Sequence, residues 1–185
     1  HATPSQLKKL KVIVAEYGTI DWAGLWDGTN DMGHAIVTFD MTGQLLKQRD
    51  IEFSCFWNTR WIENGTKPAR DHDAIDENGN LYPTGQALKI WGNFLGNQMI
   101  KSDTTKNIVT FASFDPHSQM LFAYFINKTD QPADIRIELS GKKIESVTDA
   151  WELFGTSSND VNPKWQQMTH VKSAQRVSLK GTSIT

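Results

Sequence analysis

Cysteine is almost absent: Cys55 is the one thiol in 185 residues, which excludes an internal disulfide. It lies in the apolar run IEFSCFW, residues 51–57, so a buried, inert thiol is expected. No cysteine–histidine cluster has zinc spacing. The five histidines (His1, His34, His72, His117 and His170) are scattered, and no metal or other cofactor is expected. An excess of one charge is also missing, with 19 basic residues against 21 acidic ones. No basic stripe alternates with aromatics, which argues against nucleic acid as a partner. No apolar run approaches the roughly 18–20 residues that cross a bilayer, so no membrane partner is expected. Repeats and low-complexity segments are lacking, and the length fits one or two domains.

Tryptophan is what the chain has in plenty. Seven occur, four of them within the first 61 residues: Trp22, Trp26, Trp57 and Trp61. Some of these fill a core. An aromatic-lined groove for sugar rings is the sharper reading, because sugars present C–H faces that stack on indole while carboxylates and amides bind the hydroxyls.

The chain changes character near residue 97. Before it, strand and helix alternate. Residues 11–15 read as a short strand buried on both faces. It runs straight into Glu16, then Tyr17 and Gly18. Residues 30–49 read as a helix on Met32, Ala35, Ile36, Phe39, Leu45 and Leu46, with Asn30 or Asp31 as its cap. Residues 51–57 read as a second buried strand, and residues 58–81 as a polar loop. Residues 82–96 read as a second helix, with Pro83 and Thr84 at its start and Gly96 as its C-terminal cap. Beyond residue 97 the pattern is all β. Strands are expected at 98–102, 107–114, 119–127, 133–139, 145–153, 169–172 and 174–179, with 155–165 as a long connection. That spacing suits an antiparallel sandwich.

Two βα units are too few for an independent α/β layer, since parallel strands need neighbours and helices over both faces. Residues 1–96 are therefore expected to be the end of a larger β/α domain, and residues 97–185 a β-sandwich. A missing segment or a second chain is expected to complete the first part, because two unpartnered βα units expose large apolar faces.

Three stretches carry a resemblance: VAEYG at 14–18, FWNTRW at 56–61 and YPTGQALKIWGNFLG at 82–96. In that order, followed by a β domain, they resemble the C-terminal part of a retaining glycoside hydrolase of clan A. Family 39 and related xylosidase- and agarase-type enzymes have this layout. The resemblance implies the last two βα units of a (β/α)8 TIM barrel followed by an antiparallel β-sandwich. It also implies a secreted enzyme, extracellular or periplasmic, acting on a plant or algal polysaccharide or oligosaccharide. Active sites of such barrels lie at the C-terminal ends of the strands, where Glu16 and Trp57 stand. Retaining glycosidases use two carboxyl groups about 5–5.5 Å apart. By resemblance Glu16 is the nucleophile, with the acid/base on a fourth barrel strand that these residues do not include. Tyr17 or Arg60 would keep Glu16 ionised.

Trp57 is expected to be the sugar platform, with Tyr17, Trp22, Asn58, Arg60 and Trp61 as further substrate contacts. Asp21 and Asp27, and Asp71, His72 and Asp73 in ARDHDA, are expected on solvated loops, and His34 as a packing or surface residue. Asn64 and Asn127 open glycosylation-type triplets, a pattern common by chance. The alternative from another class is a non-catalytic carbohydrate-binding or scaffold β-sandwich, in which Trp151, Phe154 and Trp165 form an aromatic row.

Overall fold

The computed structural model describes residues 3, 5, 9–19, 30–60, 73–169 and 175–185. Strand β1 (Val12–Tyr17) is rich in β-branched residues and pairs in parallel with β2 (Ile51–Phe56), from Val12 opposite Ile51 to Tyr17 opposite Phe56. The connection between them is helix α1 (Met32–Leu46), capped by Asp31, whose carboxylate accepts the His34 N–H at 3.0 Å. Helix α2 (Pro83–Asn93) follows. It opens with proline in its first turn, where the missing N–H costs nothing. Its last bond, Phe94 N–H to Ile90 O, closes it before Gly96. Gly96 is not the cap. It allows close approach to β-sheet backbone, for a Cβ there would lie 2.7 Å from the Phe114 carbonyl carbon.

The remaining strands are β3 (Gln98–Ile100), β4 (Ile108–Asp115), β5 (Met120–Asn127), β6 (Ala133–Arg136), β7 (Trp151–Phe154), β8 (Lys164–Gln167), β9 (Arg176–Leu179) and β10 (Ser183–Ile184). Six form one antiparallel sheet in the order β3-β4-β5-β10-β7-β8, while β6 and β9 pair separately. Strand β10 thus inserts between β5 and β7, so among the described residues the two halves of the sheet are joined only through β10. The fold is mixed and sheet-rich.

Helices α1 and α2 share one core with the six-stranded sheet. Phe39 stacks on Trp91 at 4.5 Å between ring centres. Phe111 meets both rings edge-on, and Tyr124 lies against them. Ile126, Leu153 and Ile184 complete the cluster. The core therefore crosses the change of character near residue 97. The joint is hydrogen-bonded as well. The Gly96 N–H donates to Ser113 Oγ, and the Tyr124 hydroxyl contacts Ser113 and the Phe94 carbonyl.

Several expectations are corrected. Lys164–Gln167 is a strand where a connection was expected, and residues 145–150 are not a strand. Residue 169 is outside any strand, while 170–172 lie outside the described residues. Cys55 is exposed rather than buried, because the described residues leave much of both faces of the parallel pair uncovered. Val12, Ile13 and Phe53 are each about half exposed, at 51%, 54% and 51%. Asn127 is fully buried, and its amide donates to the Gln131 and Lys180 carbonyls at 2.8 Å each. It is a structural residue, not a glycan acceptor. Asn64 lies outside the described residues.

Candidate active site

Because β1 and β2 are parallel, their C-terminal ends fall on the same side. Glu16 and Tyr17 end β1, and Trp57 and Asn58 follow β2 there. The Trp57 N–H donates to the Tyr17 carbonyl at 2.7 Å. Gly18 makes this approach possible, since a Cβ on it would sit 2.3 Å from the Trp57 carbonyl oxygen. The Trp57–Asn58 peptide is cis. Glu16 is exposed, Trp57 and Asn58 are half-buried, and Arg60 is exposed.

The Tyr17 hydroxyl is turned toward α1. It lies 3.1 Å from Thr42 Oγ1, which itself donates to the Thr38 carbonyl at 2.8 Å, so the phenol is the donor to Thr42. It is therefore committed to the helix and does not serve Glu16. The Tyr17 ring meets Phe56 edge-on at 5.6 Å. Among the described residues no ion pair joins Arg60 to Glu16. Arg60 acts instead on Tyr82, whose hydroxyl is pushed above its usual range by burial and by the charges of Asp76, Glu77 and Asp73, with Arg60 opposing.

A buried polar network supports this end of the molecule. The Asn30 amide donates to the Asp73 carbonyl at 2.7 Å. Its oxygen accepts from the Thr84 N–H at 3.2 Å and the Thr84 hydroxyl at 2.9 Å. One side chain thereby ties the approach to α1 to the start of α2. At the next residue, Asp31 Oδ1 lies 2.9 Å from His34 Nδ1, both side chains fully buried. Asn58 Oδ1 is buried without a hydrogen-bond partner among the described residues. The Asn58 and Thr59 carbonyls both receive the Ala74 N–H, at 3.2 and 3.0 Å.

Sequence reasoning placed Glu16, Tyr17, Trp57 and Asn58 together, and the parallel register does bring them to one end. Trp22, Trp61, Asp21, Asp27, Asp71 and His72 lie outside the described residues. Asp73 is buried rather than solvated, and His34 is buried at the helix start. The role of Asn30 was missed. Its signal was a second polar residue in front of the helix cap, matched by Thr84 in the first turn of α2.

No protein-family model matches the chain, and no curated protein matches it. Solved structures do match. A GH30 endoxylanase from Clostridium papyrosolvens C71 superposes with a TM-score of 0.64 at 11% identity, over 97% of this chain and 42% of that one. A thermostable GH51 alpha-L-arabinofuranosidase from Thermotoga petrophila RKU-1 gives 0.67 at 15% identity, over 97% and 43%. A GH family 44 xyloglucanase from Paenibacillus polymyxa, solved with xyloglucan, gives 0.62 at 19% identity, over 94% and 31%. The chain spans less than half the length of each. At these identities the likeness is one of fold: the chain folds like a part of these glycoside hydrolases.

Proposed function

We propose that the chain is the C-terminal part of a retaining clan A glycoside hydrolase acting on a plant or algal polysaccharide. In this reading residues 1–96 are the last two βα units of a (β/α)8 barrel, family 39-like in layout, and residues 97–185 are the accessory β domain. A further segment or a second chain supplies the other strands and the acid/base carboxyl. It also covers the exposed Val12, Ile13 and Phe53. A secretory location is part of the same reading.

The observation that carries the proposal is the convergence of Glu16 and Trp57 at the C-terminal end of a parallel pair, the end where barrel enzymes do chemistry. Glu16 is accessible there, and the Gly18–Trp57 contact fixes the carboxylate's strand against the ring's backbone. Its carboxylate attacks the anomeric carbon while the bond to the leaving oxygen breaks, and the acid on the missing segment protonates that oxygen. Water, deprotonated by the same group, then cleaves the glycosyl ester, and two inversions give net retention. Trp57 presents a face to the sugar. Asn58, whose carbonyl oxygen has no partner among the described residues, and Arg60 are suited to sugar hydroxyls. Trp22 and Trp61, outside the described residues, keep in this reading the role of further substrate contacts that the resemblance implies. Tyr17, with its hydroxyl held by Thr42, offers its ring and locks the nucleophile's strand to α1.

The test is turnover by the complete enzyme carrying Glu16→Ala or Glu16→Gln. Loss of a covalent nucleophile is expected to lower kcat by about 10^4-fold or more. Turnover within about tenfold of the parent enzyme would refute the role of Glu16.

A further inference from the structure

We infer that Trp151, with Asp149 and Gln167, forms a second carbohydrate-binding site on the β domain, for a neutral polysaccharide chain. The inference rests on the reading of the chain as carbohydrate-active. Strand β8 is the edge of the six-stranded sheet, and Trp151 and Gln167 face each other across β7 and β8. Trp151 stacks on Trp165, 5.2 Å between centres and 6° from parallel. Trp165 in turn packs toward Phe94 and the core. Trp151 is thus the outer ring of an aromatic stack anchored in the core, and it is only half-buried.

Its orientation is fixed from the side. The indole Nε1–H donates to Asp149 Oδ2 at 2.6 Å, and Gln167 Nε2 donates to Asp149 Oδ1 at 2.9 Å. The Ala150 N–H donates to the same Oδ1 at 3.0 Å. A ring already locked in place loses little entropy on binding. Both polar residues at its rim are exposed. They keep free capacity: the Gln167 carbonyl oxygen, its second amide hydrogen, and lone pairs on the carboxylate. A flat apolar face bordered by acceptors and a donor matches a sugar ring, whose C–H face is apolar and whose rim carries hydroxyls. The carboxylate at the rim disfavours an anionic polymer and selects a neutral chain.

Affinity electrophoresis of the 185-residue chain through gels containing soluble xyloglucan tests the site, with polygalacturonate as the anionic control. Retardation in xyloglucan alone is expected. Trp151→Ala should weaken it about tenfold or more, the loss of one stacking ring. Gln167→Ala, an exposed change that leaves the stack intact, should weaken it measurably, and Trp151→Phe should restore part of what Trp151→Ala loses. Equal retardation of parent and Trp151→Ala overturns the proposal, as does retardation in polygalacturonate rather than xyloglucan, or none in either. Hydrolysis by the complete enzyme is read separately. Hydrolysis without Trp151-dependent retardation removes this site and leaves the glycosidase; Trp151-dependent retardation without hydrolysis does the reverse.

Discussion

The parallel pair β1/β2 and the antiparallel sheet are both built from apolar strands, yet they use them differently. In the antiparallel sheet, β4 and β5 pair along their whole length, from Ile108 opposite Asn127 to Asp115 opposite Met120. One face then takes Phe39 and Trp91 from the two helices. Its apolar residues are spent within the chain. In the parallel pair, Val12, Ile13 and Phe53 remain about half exposed. Parallel strands are normally covered on both faces. One region is therefore self-sufficient, and the other carries more apolar surface than its own neighbours use. In the proposed enzyme the excess is what the rest of the barrel packs against, and the reactive end of the sheet lies in the region that needs completion.

The largest effect should come from the closed core. Phe39→Ala is expected to cost about 3–5 kcal/mol in urea unfolding, whereas Phe53→Ala in the same chain should stay within about 0.5 kcal/mol. Equal costs would break the contrast. A Phe53→Ala cost that rises toward the core value in the complete enzyme would sharpen it. Next comes the seam between the strand ends. Gly18→Ala sets a methyl against the Trp57 carbonyl, and overpacking of this kind costs about 1–3 kcal/mol. In the complete enzyme its kcat should fall further than its stability explains. Asn30→Ala strips the Asp73 carbonyl and both Thr84 donors of their partner, for about 1–3 kcal/mol by thermal unfolding. An unchanged melting temperature would mean that α1 and α2 are held without it.

The smallest effect is a titration. Burial pushes the Tyr124 hydroxyl up from 10.0 to about 12, with the Ser113 hydrogen bond opposing. A pKa raised by folding stabilises the protein fully below the unfolded value. That contribution is lost as pH rises from about 10 through about 12. The alkaline decline in stability should be shallower over that window in Tyr124→Phe, compared by denaturant midpoint against pH.

Local pattern carried much of this. Both helices and both parallel strands were legible from spacing and caps, because an amphipathic stripe is written within one element. Strand β8 was not: KWQQ holds one apolar residue, and an edge strand needs no more. The place of strand β10 was not either, since its insertion between β5 and β7 depends on partners far away in sequence. Cys55 misled because an apolar run says that a strand wants cover, not that cover is present. At the candidate site, Glu16 and Trp57 were legible as strand ends. The Asn30–Thr84 link was not, because it joins residues that no periodicity relates. Nor was the Tyr17–Thr42 bond, which takes the phenol away from the carboxylate.

The most direct measurement is covalent trapping in the complete enzyme. A panel of 2-deoxy-2-fluoro glycosides with a good leaving group is incubated with it, and the digest is read by mass spectrometry. A sugar ester on Glu16 is the expected result. An ester on another carboxylate would contradict the account.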